Sequence, residues 1–88
     1  MSSGRVAAID AALRKAFPEA EIEVQDDSAQ HLGHAGAASG RGHFRVRLVS
    51  GAFSGQPLLA RHRAVYAALG ELMQTDIHAL AIEARTPG

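Results

Sequence analysis

The sequence predicts an α+β fold, a two-layer sandwich in which a three-stranded sheet carries its helices on one face. Three observations lead there. The chain has 88 residues, enough to enclose one hydrophobic core and too few for two. Its apolar residues change period along the chain and read helix, strand, strand, helix, strand. Two helices cover only one face of such a sheet, so the other face meets water. No internal repeat or linker divides the sequence. Residues 1–88 are therefore expected to form a single domain, with 1–4 and 87–88 as flexible ends.

The first element is an amphipathic helix from Arg5 to Phe17. Val6, Ile9, Leu13 and Phe17 recur at helical spacing, Asp10, Arg14 and Lys15 lie elsewhere on the wheel, and Pro18 stops the helix. Glu21 to Gln25 alternates strictly, which makes a short strand with Ile22 and Val24 inward. From 26 to 42, Gly, Ala, Ser, Asp and His replace patterned residues, a long loop of the kind compact domains keep for function or motion.

His43 to Val49 alternates again, with Phe44, Val46 and Leu48 on one side and His43, Arg45 and Arg47 on the other. Ser50 to Gly55 is a turn. Pro57 then opens a helix expected to reach Met73, because the N–H that proline lacks has no intrahelical partner in the first turn. Its apolar stripe is Leu58, His62, Val65, Leu69 and Leu72, widened by Leu59, Tyr66 and Met73. Ile77 to Ala84 is a last strand, bounded by Thr75-Asp76 and Pro87. The first two strands should pair antiparallel and the third should return to a remaining edge; pattern alone decides neither which edge nor its direction.

Composition removes several functions. Nine Lys and Arg balance nine Asp and Glu, so no net field draws the chain to nucleic acid, anionic lipid or acidic substrates. There is no cysteine, hence no disulfide, no thiolate zinc site and no self-sufficient cysteine-held iron-sulfur cluster; a partner would have to bring thiolates. No apolar run approaches the ~20 residues of a membrane span, and the start lacks an apolar signal core. A cytoplasmic protein without membrane contact is expected. Neither a Ser/His/Asp order nor a Gly-x-x-x-x-Gly-Lys phosphate loop is present, and the expectation is a non-enzyme.

Histidine is what remains. His31 and His34 lie three apart in the long loop, and imidazole both binds metal and carries protons near neutral pH. On spacing alone such a loop pair is more often solvated than metal-bound. His62, inside an apolar stripe, reads as a helix anchor, His43 as a loop-closing residue, and His78, alternating with Leu80 and Ile82, as a half-buried strand residue. Phe44, Phe53 and Tyr66 read as core. Arg45 and Arg47 on a strand and Arg61 and Arg63 on a helix would grip phosphate or an acidic partner only if helix and sheet meet at one rim; otherwise they are solvated charges.

Several short pieces in order resemble the BolA family: Asp27-Ser28 before a His-bearing loop, Gly42-His43-Phe44, Val49-Ser50, Phe53-Ser54-Gly55, Arg61-His62-Arg63, Val65-Tyr66, Leu69 and Ile77-His78-Ala79-Leu80. The resemblance runs from about Arg5 to Thr86. It implies a fold similar to the class II KH domain, order αββααβ, with an added short helical turn around Gly51 to Gly55. It also implies a monothiol glutaredoxin as partner and a 2Fe-2S cluster shared with that partner and glutathione, held on this side by a loop residue and a C-terminal histidine. Alone, the chain would carry no cofactor and be a monomer or weak homodimer. His78 matches the C-terminal position. In the loop, counting forward from Ser28 favours His31, with His34 the alternate.

Neutral imidazole in place of thiolate raises a 2Fe-2S potential, as in Rieske centres, and makes ligation acid-sensitive. The implied function is an adaptor in iron-sulfur cluster maturation or iron homeostasis. The alternative is a KH-like DNA-binding transcriptional regulator of stress or cell shape, using Arg45, Arg47, Arg61 and Arg63. A KH site clamps nucleotides with a Gly-x-x-Gly loop, whereas the turn from Gly51 to Gly55 has three residues between its glycines.

Overall fold

A computed structural model of the protein describes residues 2–27 and 42–88. The elements are α1 (Ser2–Ala16), β1 (Glu21–Asp26), β2 (Gly42–Val49), a 3-10 turn (Gly51–Phe53), α2 (Leu58–Leu69), α3 (Leu72–Thr75) and β3 (Ile77–Arg85). The sheet order is β1-β2-β3, with β1 antiparallel and β3 parallel to β2. The third strand therefore takes the open edge of β2. The helical connection supplies the crossover that a parallel neighbour requires.

The apolar periodicity sets where the layers meet. Ile9 and Leu13 of α1, Val65 and Leu69 of α2, and Phe44, Val46 and Leu48 of β2 join one buried cluster. Arg45 and Arg47, which alternate with the buried β2 residues, are exposed on the far side. That open face is charged across its strands: Glu23 pairs with Arg47 and Arg47 with Glu83 in the register. The Arg47 Nε lies 3.1 Å and the Arg85 Nε 3.0 Å from the same Glu83 oxygen. Helices cover one face and water the other, as the two-layer reading requires.

Two expectations about helices need correction. Helix α1 starts at Ser2 rather than Arg5, because the turn before the first packed residue, Val6, simply continues the helix. The helix expected from Pro57 to Met73 is two helices. At Gly70 the backbone turns to φ 53° and its N–H closes on the Tyr66 carbonyl at 3.0 Å, a left-handed stop that glycine reaches without steric cost. Helix α3 then starts afresh at Leu72.

The stripe of α2 is narrower than expected. Val65 and Leu69 are buried, whereas Leu58, Leu59 and Tyr66 are 64%, 62% and 43% exposed. At ~100° per residue, Leu59 and Tyr66 stand roughly a quarter turn away from the Val65–Leu69 line. Leu58 shares the Val65 side but belongs to the first turn, beyond the buried section of the helix. Tyr66 is thus not a core aromatic, while Phe44 and Phe53 are.

The segment after β2 is fixed by a buried serine. The Ser50 hydroxyl accepts from the Ala52 N–H at 3.0 Å and donates to the Glu19 carboxylate, which fastens the α1–β1 turn to the end of β2. That hydroxyl, aided by the backbone N–H groups of Glu19 and Ala52, holds the Glu19 carboxyl below its ordinary range. Phe53 packs against Phe17 with ring centres 5.3 Å apart. No described helix is long and apolar enough to cross a membrane.

Candidate metal-ligand site at one end of the sheet

The site is made by an irregularity. Gly42 is opposite Ile77, but His43 is opposite Ala79, so β3 advances two residues while β2 advances one. With strict alternation from Leu80 and Ile82, His78 would point inward. The extra residue resets the pleat: Ile77 is 1% exposed and His78 is an exposed residue. This corrects the half-buried reading of His78. It also brings His78 beside His43, with ring centres 5.1 Å apart and planes tilted by 55°.

Both ends of the segment 28–41 attach at this point. The Asp27 N–H donates to the His43 carbonyl at 2.7 Å, and the Gly42 N–H donates to the Asp76 carbonyl at 2.9 Å. Asp27 is a buried acid. Its carboxylate accepts from the Gln25 amide at 2.8 Å and faces the Arg45 Nε at 3.5 Å, so the charge is compensated where the segment leaves the sheet. His31 and His34 lie outside the described residues. Among the described residues no group of three or more His, Cys, Asp or Glu could hold a metal ion.

The four arginines are spread over different settings. Arg45 and Arg47 leave the open face and face Asp27 and Glu83. Arg61 turns back onto the protein: its Nε donates to the Gln56 carbonyl at 2.8 Å and its Nη1 to the Ala84 carbonyl at 3.1 Å. Arg63 is exposed on α2. Arg45 and Arg47 thus leave the sheet layer, and Arg61 and Arg63 the helix layer. His62 is half-buried on α2, in keeping with an anchoring role.

Two features escaped the sequence reading. One is the pairing of His43 with His78. Its signal was present, since Ile77 and Leu80 cannot both face inward across an odd spacing unless a residue is extruded between them. The other is a Gly-x-x-Gly string, Gly33-His34-Ala35-Gly36, which lies in 28–41, outside the described residues.

A family profile described as BolA-like protein matches residues 13–88. The chain is 42% identical over 80 residues to SufE-like protein 1, chloroplastic/mitochondrial, of Arabidopsis thaliana, an overlap of 85% of this chain and 22% of that protein. It is 44% identical over 78 residues to the DNA-binding transcriptional regulator BolA of Escherichia coli (strain K12), covering 89% of this chain and 71% of that one. The chain thus spans about a fifth of the first relative's length. Among solved structures, the BolA domain of SufE1 from Arabidopsis thaliana superposes with a TM-score of 0.81 at 41% identity, covering 94% of this chain and 92% of that one.

Proposed function

The chain belongs to the BolA family, and we propose that it is an adaptor rather than an enzyme, binding a monothiol glutaredoxin and sharing a 2Fe-2S cluster with it in iron-sulfur maturation or iron homeostasis. One observation carries the reading: His78 is exposed at the sheet end where both ends of the His31- and His34-bearing segment attach. His31 is four residues beyond Asp27, a chain length of at most about 14 Å, which is the span available for a second imidazole to approach the His78 end.

The donor set fits the shared group. This chain would present His78 together with His31, or His34 as the alternate, as neutral nitrogens; the partner cysteine and glutathione would present the thiolates that a cysteine-free chain cannot. The cluster, when bound, supplies one-electron chemistry and a transferable iron-sulfur unit. The protein's own part would be to hold neutral imidazole at the contact and to orient it through the β2–β3 register. Ligation therefore weakens on acidification, as protons compete for the same nitrogens.

Mixing the purified chain with cluster-loaded monothiol glutaredoxin should produce new visible circular dichroism and absorption bands. A His31→Ala, His34→Ala, His78→Ala triple variant should leave the glutaredoxin spectrum unaltered. Unchanged spectra with the native chain, or a native response from the triple variant, would overturn the reading.

The name of the Escherichia coli relative favours a second reading, a DNA-binding transcriptional regulator. Arg63 is the informative residue, because Arg61 is engaged with backbone carbonyls. A gel shift that weakens with salt and with Arg63→Ala, Arg45→Ala and Arg47→Ala would support it. No shift at physiological salt removes it.

A further inference from the structure

We propose that His43 and His78 form a divalent-cation site of this chain's own, an open two-imidazole chelate for Cu2+, Ni2+ or Zn2+, distinct from a cluster shared with a partner. The two rings come from adjacent strands and meet only because the register steps between Gly42 and His43. Their separation suits one ion. With metal–nitrogen bonds of ~2.0–2.1 Å, two imidazoles on a tetrahedral centre have ring centres about 5 Å apart. The observed distance is 5.1 Å, which matches that spacing. The rings are tilted by 55° rather than stacked face to face.

The chemistry selects the ion. Imidazole suits copper, nickel and zinc, and affinity among them peaks at Cu2+. Oxygen-seeking Mg2+ and Ca2+ find no carboxylate to spare, since the nearby Asp27 is engaged with Gln25 and Arg45. No third His, Cys, Asp or Glu joins the pair among the described residues. Exposed His78 leaves the remaining coordination positions to water. The site is therefore exchangeable, unlike a closed four-ligand structural zinc. His78 also belongs to the donor set of the proposed cluster. On that earlier reading, an ion held by His43 and His78 and the shared cluster exclude one another.

The test titrates the purified chain alone with Cu2+ and Zn2+, following amide and imidazole resonances by NMR and heat by calorimetry. One ion per chain is expected, with shifts centred on His43 and His78. Binding should be lost in His43→Ala, in His43→Asn and in His78→Ala, each checked for native far-ultraviolet circular dichroism, and kept in a His31→Ala, His34→Ala variant. Absence of binding, its persistence without His43, or its loss with the two loop histidines each overturns the site; in the last two cases the ring contact is packing alone. A separate arm adds Zn2+ to the chain mixed with cluster-loaded glutaredoxin. Cluster bands that form normally without Zn2+ while the chain binds no ion sink this site and leave the cluster reading standing. Ion binding without cluster bands does the reverse.

Discussion

Gly70 and Ser50 show how single residues fix the frame around the site. At Gly70 the φ of 53° pairs with a ψ of −125°, a combination that side-chain-bearing residues avoid. Gly70→Ala should destabilise the domain by about 1–3 kcal/mol in urea unfolding, with the free ends of α2 and α3 otherwise intact. Ser50 acts through charge. Its hydrogen bond favours ionised Glu19, whose folded-state pKa is lowered. The stabilisation from this link is therefore complete above the ordinary glutamate range, near pH ~4.3, and fades as pH falls through the lowered value. Melting curves of the native chain and Glu19→Gln should differ at pH 7 and converge in stronger acid. A gap of constant size would show that the hydrogen bond acts without regard to charge.

At the level of elements, what the sequence disclosed depended on how local the cause was. Strands β1 and β2 announced themselves because each alternates over its whole length and each turns one face to the core, where Phe44, Val46 and Leu48 are buried and Ile22 and Val24 half-buried. The break between α2 and α3 was hidden because a lone glycine in a helical pattern is ordinarily tolerated. Only its positive φ reveals a stop. The exposure of Leu59 and Tyr66 was hidden for another reason: a wheel shows which side a residue is on, and the width of the covered sector comes from the neighbouring elements. Substitutions separate these roles. Leu48→Ala, at a fully buried position, should cost about 2–5 kcal/mol, whereas Leu59→Ser should stay within about 0.5 kcal/mol. Arg61→Ala removes two charge-assisted bonds that tie α2 to the chain before it and to β3, an expected loss of about 1–3 kcal/mol. Arg63→Ala, exposed on the same helix, should be silent in the same denaturation series.

For the molecule as a whole, the two-layer architecture and the side of the sheet left to water followed from counting helices against strands. The candidate site did not follow so directly. The resemblance pointed to His78, but its exposure and its neighbour His43 depend on an alignment between strands far apart in sequence, which periodicity within either strand cannot express. The balanced charge of the chain carries a prediction at this scale. Association with a protein partner through coordinate bonds should change little between low and physiological salt, while a nucleic-acid complex should weaken steeply. Measuring both in parallel over the same salt range discriminates the two functional readings.

The stepped alignment of β3 also bears on misfolding. Were the strand zipped to β2 without the step, while Leu80 and Ile82 kept their inward positions, His78 would be driven into the oil of the interior and Ile77 turned out into water. Exposing an isoleucine forfeits about 1.5–3 kcal/mol, and burying an imidazole without hydrogen-bond partners adds a further penalty. The faulty alignment is thus disfavoured at two adjacent positions at once. The residue we propose as a metal ligand would thereby also proofread the seating of the last strand.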